Sequence, residues 1–193
     1  MRRFLAAFVH MDRRWIFLGM ALAIAYPMLF PVDLAFEVDE RVQSLYDAIE
    51  ELEPGSTVFL SADYDPASMP ELNPFMRASL HHLMRKDVKI VVASLWEYAP
   101  PLVITALEEV APYYDYEYGT DFAYLGYKPG KELAIKAIGE NVRKAFPSDY
   151  QATPIDDLPV LEGIKQAADF DLIVLVSSGF PGTREYVLQI QGQ

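Results

Sequence analysis

Two aspartates, Asp63 and Asp65, follow directly on the apolar run TVFLSA (57–62). Carboxylates so placed at a strand end can share a divalent cation such as Mg2+, with water completing its shell. The same pair can instead cap backbone amides, with Asp65-Pro66 opening a turn. Trp96-Glu97 follows a second apolar run, and Lys128-Pro129-Gly130 follows a third. The latter offers an anion an ammonium and the free amides of a helix start. Ser177-Ser178-Gly179 begins SSGFPGT (177–183), whose hydroxyls and glycines suit a phosphate. No G-x-G-x-x-G, P-loop lysine or G-x-S-x-G occurs. His81 and His82 stand about 100° apart on a helix, so they do not readily chelate one ion. The chain has no cysteine, which excludes thiol catalysis, thiolate metal sites and disulfides.

The four loops meet only if the runs before them are parallel strands, and the patterning predicts that they are. A helix is expected over 37–53, with Val38, Val42, Leu45, Ile49 and Leu52 as one stripe that packs on the sheet. Pro54-Gly55 ends it. After strand 57–62 and a proline-rich loop, a helix over 75–86 turns Met76, Leu80, Leu83 and Met84 inward. Strand 88–95, helix 102–110 behind Pro100-Pro101, and strand 122–126 come next. A helix over 131–146 is expected to bury Leu133, Ile135, Ala137, Ile138, Val142 and Phe146. A polar connection (147–159), a short helix (160–168), strand 172–176 and helix 181–190 complete the pattern. Apolar strands alternating with helices define a three-layer, Rossmann-like α/β domain with a mostly parallel sheet, in which ligands bind beyond the strands' carboxyl ends. Four strands are few for such a sheet, so a fifth is expected beyond residue 193.

Ahead of this domain, residues 15–32 (WIFLGMALAIAYPMLFPV) carry no charge. Eighteen helical residues span about 27 Å, close to the thickness of a bilayer's hydrocarbon core. The expected organisation is a basic leader (1–14), a single-pass transmembrane anchor (15–32) and the α/β domain (37–193). A signal peptide cleaved near Ala23-Ile24-Ala25 and a buried core helix are the alternatives. Four arginines against Asp12 make residues 1–14 +3, so the chain's net −12 leaves −15 for the other 179 residues. The arginines predict a cytoplasmic N-terminus and an extracytoplasmic domain. A body so acidic argues against nucleic acid as a partner. Tyr113, Tyr114, Tyr116, Tyr118 and Tyr127, interleaved with acids, suit either packing or a protein–protein surface.

The segments SADYDPASMPELNPFMRASLHHL (61–83), LGYKPG (125–130), TPIDDLP (153–159) and SSGFPGTREYV (177–187) resemble a prokaryotic family of membrane-anchored proteins. The resemblance covers about residues 37–190 and implies an N-terminal anchor, a Rossmann-like domain and a second apolar helix further on, which this sequence lacks. It implies no activity and no catalytic residue. Asp63-x-Asp65 with Ser94 and Lys128 loosely resembles the haloacid-dehalogenase-like phosphatases, but the last strand ends in Ser177-Ser178 where that pattern wants acids. The expected function is therefore a non-enzymatic, cofactor-free module, held in the bilayer by residues 15–32 within an assembly of membrane proteins. The alternative is a metal-dependent phosphate- or nucleotide-binding hydrolase using Asp63, Asp65, Glu97 and Lys128 around Mg2+.

Overall fold

The computed structural model describes residues 12–30 and 38–190, and the chain divides after Glu40 into two compact units. In the first, helix α1 runs from Arg13 to Leu29. Asp12 starts it two residues before the apolar run, its carboxylate accepting the Arg14 amide at 3.0 Å. Its large side chains are all exposed, from Trp15 (65%) to Leu29 (73%). Seventeen residues make about 26 Å, against a hydrocarbon core of about 30 Å. No helix among the described residues is long and apolar enough to cross a membrane. The last two residues of the expected span, 31 and 32, lie outside the described residues.

The second unit is a mixed α/β fold on an all-parallel, four-stranded sheet. Its order in sequence is α2 (Glu40–Glu50, which begins at the unit boundary), β1 (Thr57–Asp63), α3 (Met69–Arg85), β2 (Lys89–Ser94) and α4 (Pro100–Val110). Then come β3 (Phe122–Tyr127), α5 (Glu132–Glu140), α6 (Val142–Ala145), β4 (Leu172–Ser177) and α7 (Thr183–Ile190). The strands lie in the order β3-β2-β1-β4. Alternate residues of β1 feed two separate cores, as a sheet covered on both faces requires. Val58, Leu60 and Ala62 join Met76, Leu80, Leu83 and Met84 of α3 and Val103 and Leu107 of α4. Phe59 joins Ile135 and Ile138 of α5, Val142 of α6 and Tyr186 of α7. Chain direction therefore reverses at β1: the path to β2 and β3 runs over one face, and the path to β4 starts from the other. Such a switch point is where parallel sheets open a crevice.

The expected helix over 131–146 is two helices. Asn141 is extended (φ −164°, ψ 103°), and its side chain caps the next turn by accepting the Lys144 amide. Leu133, expected in the core, is 75% exposed, because α5 begins only at Glu132 and turns its first residue pair outward. Residues 160–168 form no α-helix; short 3-10 turns at Pro159–Leu161 and Ala167–Asp169 flank Gly163, whose φ of +83° breaks any helix. The proline-rich loop before α3 is largely helix, because Pro70 sits in the first turn where its missing N–H costs nothing. The stripe of α2 lies along α3 more than on the sheet. Tyr46 stacks on His82 at 4.6 Å and Glu50 bonds His82, Arg85 and Lys86. Ile49 is buried, Leu45 and Leu52 are half-buried, and Val38 and Val42 stay exposed.

Candidate functional site

At the end of β1, period-2 alternation puts Ser61 and Asp63 on the face below α7, and both are fully buried. Tyr186 donates its hydroxyl to Ser61 Oγ (2.7 Å), Ser61 donates to Asp63 Oδ2 (2.7 Å), and the Leu95 amide donates to Asp63 Oδ1 (2.5 Å). The Asp63 carbonyl accepts the Ser178 amide at 3.1 Å. One residue thus joins the carboxyl ends of β1, β2 and β4. Burial pushes the Asp63 carboxyl up to about 6, against the opposing pull of the Leu95 and Ser61 bonds. Burial also raises the Tyr186 phenol, and the nearby Asp63 charge adds to it.

Asp65 does different work two residues on. Its Oδ1 accepts the amides of Ala67 (3.1 Å) and Ser68 (3.0 Å) and the Ser68 hydroxyl (2.8 Å). These bonds, the Ser68 hydroxyl first, hold its carboxyl below the usual range, so it stays ionised. The two expected metal ligands therefore have separate tasks: one buried under Leu95, the other capping the chain into α3. No group of three or more His, Asp or Glu among the described residues is arranged to hold a metal ion.

Lys128 and Ser177 are also bonded within the domain, whereas Glu97 is exposed. The Lys128 ammonium donates to the Ala145 carbonyl at 2.5 Å and lies 5.7 Å from the centre of the Phe146 ring, so it ties β3 to α6. Ser177 donates to the Gly179 and Pro181 carbonyls, folding SSGFPGT back on itself. At the start of α7, the amide that a phosphate would need at Gly182 is taken by the Glu185 carboxylate at 2.8 Å. Gly130 and Lys131 enter α5 through left-handed backbone at φ +117° and +48°. His81 bonds the Tyr114 hydroxyl (3.0 Å) and His82 bonds Glu50 (2.9 Å), on different sides of α3.

Three tyrosines of the tyrosine–acid stretch point inward, while its acids stay exposed. Tyr116 donates to the Met84 and Val88 carbonyls, and Tyr118 donates to buried Asp149 at 2.8 Å. With Tyr114 on His81, only Tyr113 (77% exposed) and Tyr127 (40%) of the five remain open to solvent. Tyr127 is turned out by a slip in the ladder between β2 and β3, where Gly126 adopts φ +91°.

Two hollows open at the carboxyl edge, with Trp96 and Asp65 between them. One, of about 550 Å³, lies at the switch point and is lined by Asp65, Ser68, Glu71, Trp96, Ser177 and Ser178. The other, of about 390 Å³, is lined by Asp65, Trp96, Glu97, Tyr98, Tyr127, Lys131 and Phe180, with Leu95 at its base. Sequence reading placed Trp96 and Phe180 in these loops without a binding role, and missed Tyr98 and Lys131. Each directly follows or precedes a residue singled out for charge or backbone, which was the available signal.

Sheet order and crevice define a mixed α/β domain on a four-stranded parallel sheet, an arrangement consistent with a Rossmann-like fold. Compared with protein-family models, curated proteins and solved structures, the chain matches none.

Proposed function

We propose that this chain is a membrane-anchored, non-enzymatic α/β module that serves as a subunit of a membrane-associated protein assembly. The observation that carries this reading is the contrast at the carboxyl edge. Asp63, Asp65, Lys128, Ser177 and Glu185 are engaged inside the domain. Beside them the rings of Tyr98 (61% exposed), Tyr127 and Phe180 (48%) face solvent. Exposed aromatic side chains clustered on one edge favour a protein partner. In this reading α1 supplies the anchor, since a helix apolar on every side needs lipid or protein around it. Its shortfall of about 4 Å is within what local thinning of a bilayer accommodates. The arginines at its start put the N-terminus in the cytoplasm and the domain outside.

The test uses the full chain in its native membranes. The protein should resist alkaline carbonate extraction, its domain should be cleaved by protease added outside, and it should leave detergent with another protein in fixed ratio. Recovery as a lone, soluble monomer overturns the proposal. A second reading, a Mg2+-dependent phosphate or nucleotide hydrolase, draws support from the hollow at the switch point. The burial of Asp63 and the Glu185 cap weigh against it. Calorimetric titration with Mg2+ decides: a heat of binding lost in Asp65→Asn would favour the hydrolase.

A further inference from the structure

The smaller hollow combines ring faces with carboxylates. Trp96 is held across it by a bond from its Nε1 to the Phe180 carbonyl (3.2 Å). Tyr98, Tyr127 and Phe180 add three further rings, and Asp65 and Glu97 add two carboxylates. The adjacent Glu97 carboxylate, as a hydrogen-bond acceptor first and as a charge second, raises the Tyr98 phenol's pKa. One cation is already there: the Lys131 ammonium sits 5.3 Å from the centre of the Phe180 ring. Two negative charges against one positive leave the hollow net negative, within a body that carries −15. Aromatic faces rimmed by carboxylates are the chemistry that recognises organic cations, guanidinium above all.

We propose that this hollow receives the arginine or lysine side chain of a basic segment on a partner protein, with Lys131 as the resident cation that the partner displaces. This rests on the reading of the domain as an assembly subunit and names the chemistry of its partner. The charge of the domain favours such a segment over an acidic or apolar one.

The experiment titrates the full chain in detergent with hexa-arginine, with Trp15→Phe as background so that Trp96 alone reports by fluorescence. Saturable quenching is expected. Glu97→Gln and Phe180→Leu should each weaken it about fivefold. Glu162→Gln, which removes an exposed carboxylate outside the hollow, should leave it unchanged. Lys131→Met should tighten it about threefold, since it removes the competitor. Equal losses in Glu97→Gln and Glu162→Gln, or weakening in Lys131→Met, would overturn the assignment. Tetramethylammonium that saturates the same site more tightly than hexa-arginine would give it to a small solute and overturn the protein partner. If a partner co-purifies from native membranes and Glu97→Gln does not release it, this inference fails and the assembly reading stands. If no partner co-purifies, the assembly reading itself fails.

Discussion

At neutral pH the buried carboxylate of Asp63 costs this fold stability, and Asp63→Asn should return part of it. The carboxyl is pushed up to about 6 from an ordinary 3.8. Below 3.8 the folded and unfolded chains both hold the proton. Between 3.8 and about 6 only the folded chain holds it, so stability falls as pH rises through that window and levels off above it. Two pKa units at 1.36 kcal/mol each make the total change about 3 kcal/mol. Asparagine keeps an acceptor for the Leu95 amide but takes away the acceptor of the Ser61 hydroxyl, at a cost of about 1 kcal/mol. The variant should therefore be about 1 kcal/mol less stable than wild type at pH 3 and about 2 kcal/mol more stable at pH 7.5. Urea unfolding of both proteins at half-unit steps between those limits measures the difference, and titrations common to both cancel. A difference flat across the window, within about 0.5 kcal/mol, would refute the account of Asp63 as a desolvated carboxylate under Leu95.

Three more outcomes follow from the same reasoning. Glu50 is held down to about 2, first by its bond to His82, so the stability its charge gives is full above 4.5 and is lost as pH falls from there to about 2. An NMR titration of its carboxyl carbon should find that midpoint, and His82→Ala should move it toward 4.5. Asp149 accepts from Tyr118 (2.8 Å) and from the Thr153 amide (2.7 Å) while buried, so Asp149→Ala should cost about 2–3 kcal/mol in urea unfolding. Arg143 clamps α6 to the following turns through the Ile164 and Leu161 carbonyls. Arg143→Lys cannot span both, and should lower stability by about 1–2 kcal/mol, seen as a lower thermal midpoint.

All four strands were legible in the sequence, because a strand buried on both faces has to be apolar along its length. TVFLSA, VKIVVASL, FAYLG and LIVLV announce themselves without partners. The convergence of the loops followed from the alternation of strand and helix. Where reading failed, the deciding interaction was either one local bond or very remote. Asn141 divides a periodic helix through a single side-chain bond, and apolar spacing does not register it. Asp63 looked like a ligand because its acidity and position were visible. Its cover comes from Leu95, 32 residues on, and through Ser61 from Tyr186, 125 residues from that serine. The tyrosines were left open between packing and a surface, because the hydroxyls of Tyr116 and Tyr118 find their acceptors 28 and 31 residues away.

The place of β1 at the middle of the sheet has a consequence for how the protein is made. Its pairing with β4 joins Val58 to Leu172 and Asp63 to Ser177, so 114 residues must leave the ribosome between the two halves of each pair. At about 5–20 residues per second that takes roughly 6–20 s. Throughout it β1 can pair on one side only, with β2, and its other row of amides and carbonyls stays open to neighbouring nascent chains. Crowded polysomes, or a chaperone that covers such rows, would then influence the yield of folded protein. An inner strand of the mature sheet is, while the chain is being born, an edge.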